Sequence, residues 1–110
     1  MEAPPDDPPR DAVTSKGRQP FSGATIANFN PALADELGVD YDAPGVMVLA
    51  VESGSIAARL GLRPGDRVRE INGSTITTVR ELTQAAGSPQ PHWNVTINRN
   101  GEDLRISVDG

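Results

Sequence analysis

The sequence has no cysteine, a single histidine, and only one Trp, one Tyr and two Phe. Without cysteine there is no disulfide framework, no thiol nucleophile and no thiolate metal site, and the redox compartment is left open. One histidine among scattered carboxylates does not make a metal-ligand set, so no metal and no other cofactor is expected. No apolar run approaches the ~18 residues of a membrane span, and the N-terminal residues lack the apolar core of a signal peptide. Membrane insertion is therefore not expected. The formal net charge of −5 argues against sequence-independent binding to nucleic acid.

What the chain does have is one domain's worth of residues, 110 in all. The first twenty, MEAPPDDPPRDAVTSKGRQP, hold five of the ten prolines and no aromatic residue. By themselves they bury too little apolar surface to offset their ordering entropy, and they read as a disordered Pro-rich linker, 1–20. Fully extended at ~3.1 Å per residue, such a linker reaches about 60 Å and would let the domain swing. Residues 21–110 then form the folded domain, enough chain for one modest core.

Alternating and apolar patterns give its elements. Residues 21–29 suit a strand, with Ala24 and Ile26 on one face. Asn30-Pro31 is an N-cap followed by Pro at the first helical position. The helix to Leu37 stops at Gly38. Gly45 to Val51 (GVMVLAV) reads as a central strand buried on both faces. The densest run of signals is Ser53 to Ile76. Ser55 caps a helical turn, Gly61 reverses the chain, Pro64-Gly65 fits a type II turn that Asp66 can brace, and a strand Arg67–Ile71 ends at Asn72-Gly73. Thr77 or Thr78 can cap a helix to Ala86, with Val79, Leu82 and Ala86 facing the core. Two alternating runs about Asn100-Gly101 make a hairpin. The order predicts a small α+β domain with two helices and a curved or barrel-like, mostly antiparallel sheet of five to six strands.

Candidates for chemistry are few. His92 has no oriented acid and no activated Ser or Cys in any nucleophile motif, so no catalytic residue is assigned. Ser53-Gly54-Ser55 lacks the Lys-Ser/Thr ending of a phosphate loop. Asp35, Glu36, Asp40 and Asp42 form an acidic corner without the alternate spacing of a calcium loop, and they read as a solvated helix end. Trp93 reads as a core residue.

The run SGSIAARLGLRPGDRVREING resembles the PDZ domain signature, and the likeness extends over residues 21–109. NPALADELG after the first strand and the late RNGEDL are similar to the Do/HtrA (DegP-like) envelope serine proteases, whose C-terminal PDZ domain follows a comparable linker and has the bacterial, permuted strand order. The resemblance implies a parent trypsin-like serine endopeptidase whose catalytic domain is not in this chain, a periplasmic location and a role in protein quality control. The implied partners are C-terminal or unfolded polypeptide segments, the protease domain and neighbouring protomers. It also implies a site. A partner's terminal carboxylate would sit in the Phe21, Ser22, Gly23, Ala24 loop, its backbone would pair with Thr25, Ile26 and Ala27, and Arg80, Thr83 and Gln84 would face it from the helix. Ser22 and Ala24 stand where larger apolar residues are usual, which implies a shallow end pocket. The alternatives are an oligomerisation domain with a silent groove, or the PDZ domain of another bacterial protease or secretion component.

Overall fold

The computed structural model describes residues 10–17, 19–88 and 90–109. Along the chain lie β1 (Val13–Thr14), β2 (Ala24–Asn28), α1 (Pro31–Leu37), β3 (Val46–Val51), α2 (Ile56–Arg59), β4 (Arg67–Ile71), β5 (Ser74–Thr75), α3 (Val79–Ala86), β6 (His92–Arg99) and β7 (Glu102–Asp109). The strands form one open sheet in the order β1-β2-β3-β4-β6-β7, with β5 paired to β4, and every pairing is antiparallel. The α+β architecture expected from the sequence is the one observed. Two short strands, β1 and β5, add to the five that the hydrophobic patterns mark.

Local chemistry explains where the elements begin and end. Asn30 Oδ1 accepts the Leu33 amide at 2.7 Å, Pro31 opens α1, and Gly38 closes it at φ +71°. Ser55 Oγ accepts the Ala58 amide at 3.1 Å and starts α2. The hairpin between β6 and β7 turns at Asn100 and Gly101, both at positive φ.

The main core joins the inward residues of the sheet (Ala24, Ile26, Val46, Val48, Val68, Trp93, Val95, Ile97) to Ala57 of α2 and to Val79, Leu82 and Ala86 of α3. A second, smaller cluster lies under α1, where Leu33 and Ala34 meet Ala27, Phe29 and Met47. Burial of β3 on both faces therefore holds for Val46, Met47 and Val48 only. Ala50 is exposed, because α1 is too short to cover the strand's far end.

The structure also differs from the expected linker over 1–20. Residues 1–9 and Arg18 lie outside the described residues, but Val13–Thr14 pair with β2, and Gln19 and Pro20 are buried. Composition measures how much apolar side chain a segment can bury alone. It does not register a backbone ladder offered by a neighbouring strand.

The hook between α2 and β4 is held by charge. Asp66, 1% exposed, accepts the Arg63 amide at 2.9 Å. It also takes both arms of Arg99, Nε at 2.8 Å and Nη2 at 2.7 Å, while the same Nη2 donates to the Gly61 carbonyl at 2.8 Å. The Asp66 carboxylate raises the Arg99 guanidinium above its ordinary value. One side chain of β6 thus closes both turns that flank Leu62. Asp66→Ala leaves Arg99 and the Arg63 amide without their acceptor and is expected to cost about 3 kcal/mol. The measurement is a lowered urea midpoint at unchanged m, and an unchanged midpoint would contradict the assignment.

Candidate functional site

The outer edge of β2 faces α3 across a groove, one contact ties strand to helix, and two more cap the helix beside it. Asn28, the last residue of β2, accepts the Val79 amide through Oδ1 at 2.7 Å, so the first free N–H of α3 is tied to the end of the strand. Thr78 Oγ1 accepts the Glu81 amide at 3.1 Å and caps the helix. Glu81 Oε1 accepts the Thr77 hydroxyl at 2.6 Å and the Thr77 amide at 3.0 Å, and these donors hold its carboxyl below the usual range. The helix is therefore anchored at its N-terminal end, beside the far end of β2.

At the near end lies the loop Phe21–Ala24. The Ala24 amide donates to the Phe21 carbonyl at 2.8 Å, closing a turn with Gly23 at φ +92°. Gly23 is required on two counts. A side chain is strained at that φ, and an added Cβ would stand 2.2 Å from the Cβ of Ser55. The loop is pressed onto the start of α2, where the Ala57 amide donates to the Ser22 carbonyl at 3.0 Å and the Glu52 amide to the Gly23 carbonyl at 2.9 Å. The run around Ser55, which in sequence reads as scaffold, is thus the seat of the loop.

The loop's N–H groups are largely committed. The Phe21 amide donates to Gln19 Oε1 at 2.7 Å and the Ser22 amide to the Gln19 carbonyl at 3.1 Å. Gln19 Nε2 in turn donates to the Lys16 carbonyl at 3.1 Å. Only Gly23 turns its amide toward the groove, where it donates to the Ser15 carbonyl at 2.9 Å. An oxygen at that point has one backbone donor, not a nest of four. Lys16 and Arg59 line a separate hollow beside Gly23 and the start of α2, with Glu52 opposite in sign.

The expected site residues separate into groups. Phe21, Ala24, Ile26 and Ala27 are buried, and Ser22 and Thr25 are half-buried. Thr83 reaches the cleft of about 260 Å³ between β1 and α3, whose lining includes Leu82, Ala86 and Gly87. Arg80 and Gln84 are exposed and are not part of that lining. Leu82 and Ala86, read as core from their spacing, therefore also face the groove. Gln19 is missed altogether in the sequence because it sits among the prolines.

A family model described as PDZ domain matches residues 47–92, from β3 into β6, so the loop and β2 lie outside the matched stretch. The chain is 34% identical over 86 residues to the probable periplasmic serine endoprotease DegP-like of Chlamydia trachomatis, covering 78% of this chain and 15% of the relative. It is 31% identical over 100 residues to the protein of the same name in Halomonas elongata, covering 89% and 20%. The chain thus spans about a fifth or less of these relatives. Among solved structures, the HtrA-type protease AlgW with decapeptide superposes with a TM-score of 0.67 at 28% identity, over 79% of this chain and 27% of that one. The HtrA3 PDZ domain bound to a phage-derived ligand (FGRWV) superposes with a TM-score of 0.66 at 23% identity, covering 90% and 84%, a likeness of fold.

The seat of the loop is testable through Gly23. Gly23→Ala is expected to destabilise the domain by about 2 kcal/mol or more, from backbone strain plus the collision with Ser55. Adding Ser55→Gly, a mild change at an N-cap, recovers the steric part only. Thermal unfolding of the two variants checks this, and a neutral Gly23→Ala would contradict it.

Proposed function

This chain belongs to the PDZ domain family, and we propose that it is the interaction module of a periplasmic serine endoprotease, taking an extended polypeptide segment as an added strand on β2. In this reading bond cleavage belongs to a trypsin-like domain outside residues 1–110, and the module delivers unfolded or C-terminal segments to it. The observation that carries the reading is the outer edge of β2, which accepts an antiparallel strand running toward the Phe21–Ala24 loop. A partner's segment entering the same way would place its last carbonyl oxygens at the Gly23 amide, beside the hollow that Arg59 lines. The peptide-bound relatives of like fold, and the periplasmic endoproteases among the curated ones, support the assignment.

The cleft of about 260 Å³ beside Leu82, Thr83 and Ala86 has room for an apolar or aromatic side chain, in a lining that is partly polar. Edge pairing beside an open, partly polar cleft, with one loop amide for the carboxylate, gives weak binding, on the order of 10 μM to 1 mM. A second reading has one observation in its favour. With three of the four loop amides bonded internally, the groove is a poor carboxylate trap, and the domain would instead hold protomers of the protease together.

The two readings part on a titration. The hexapeptide Arg-Asp-Ala-Val-Thr-Val, with a free carboxylate, is expected to shift the amides of Ser22 to Ile26 and of Thr83 to Gly87 at millimolar concentration. Amides that stay still, both in the full chain and in a variant whose β1 pairing is removed, would leave only the assembly reading.

A further inference from the structure

The strand that occupies the groove comes from the chain itself. Val13 stands opposite Ile26 and Thr14 opposite Thr25. The Ser15 amide donates to the Ala24 carbonyl at 2.9 Å, the Gly23 amide to the Ser15 carbonyl at 2.9 Å, and the Asn28 amide to the Arg10 carbonyl at 2.7 Å. Side chains follow the backbone. Thr14 and Thr25 share a hydroxyl hydrogen bond at 2.9 Å, Asn28 Nδ2 donates to Asp11 at 3.4 Å, and Arg10 pairs with Glu36 of α1. Val13, Thr14, Ser15 and Lys16 form one wall of the cleft whose other wall is α3.

Three features distinguish this segment from an ordinary edge strand. It runs antiparallel to β2 and ends at the loop, so the Ser15 carbonyl stands where the end of an added polypeptide would stand. Beyond Ser15 the backbone ladder with β2 ends, and Gly17 at φ +95° turns the chain. And its anchoring is slight: Val13 remains 42% exposed and contributes nothing to the main core. Such a segment is held by its backbone bonds and its tether more than by apolar burial.

Resting on the groove reading above, we infer that Arg10–Lys16 is an intramolecular ligand of the groove between β2 and α3, which an external polypeptide must displace before pairing with β2. The groove is then closed at rest and opens to segments present at high local concentration or carrying a better end residue than Ser15. The tether sets the threshold. An effective concentration on the order of 10 mM, against an intrinsic dissociation constant on the order of 1 mM, weakens an external ligand by about tenfold.

The test compares the full chain with its Ser15→Pro variant, which lacks the amide donated to Ala24, and with Val13→Asp, whose exposed side chain lies outside the core. The probe is the hexapeptide Arg-Asp-Ala-Val-Thr-Val, followed by chemical shift. Both variants are expected to keep the melting temperature of the parent within a few degrees and to bind the hexapeptide about tenfold more tightly. Equal dissociation constants for all three proteins would overturn the intramolecular ligand and leave the groove reading standing. A cooperative loss of fold in both variants would also overturn it, by making β1 an integral strand. Absence of binding in every protein, folded or not displaced, would overturn both the inference and the reading it rests on.

Discussion

β2 has two edges and lies in the interior, with Ala24, Ile26, Ala27 and Asn28 all buried. Its inner edge is paired to β3 along its whole length. The backbone groups on its outer edge face the groove beside α3, and a peptide group left there without a backbone partner or water would cost on the order of 1–3 kcal/mol. Those groups take a backbone partner in the groove, or water when the groove is open. In this molecule residues 10–15 of the same chain satisfy them, and the ability to satisfy them is also what the domain offers a partner. Asn28 ties one end of the strand to α3, and the close approach of Gly23 to Ser55 seats the other end on α2.

The dependence of site on scaffold runs through α2. The densest sequence signal, around Ser55, Gly61 and Asp66, builds a hook that Arg99 closes from β6. The same hook presents Ser55 to Gly23 and the Ala57 amide to Ser22. A change in that hook would therefore be felt in the loop without touching a ligand. Fold and function are separate in the sequence but share a backbone contact in the structure.

Much of this is legible in the sequence. The caps at Asn30, Ser55 and Thr78, the stop at Gly38 and the turn at Asn100-Gly101 all depend on chemistry within four residues, and each lies where its local pattern puts it. Less legible were features that depend on a distant partner. Arg99 gives no sign in sequence that it belongs to Asp66. Asn28 reads as one more polar strand residue, not as the cap of a helix fifty residues on. Gln19 and Ser15 sit in a proline-rich stretch whose composition argues for disorder, and only a neighbouring edge in need of donors and acceptors gives them a place. Of the groove helix, Thr83 lines the cleft, Arg80 and Gln84 are exposed and outside that lining, and Leu82 and Ala86 belong to both the core and the cleft.

One edge of β2 serves two occupants in turn, and amide hydrogen exchange in the full chain reads this most directly. The Gly23 amide should be protected both without the hexapeptide and at saturation, since it has an acceptor in each state. The Ser15 amide should be protected in the free protein and exchange freely once the hexapeptide is bound. A Ser15 amide that stays protected while the hexapeptide binds would place the ligand elsewhere and contradict the account.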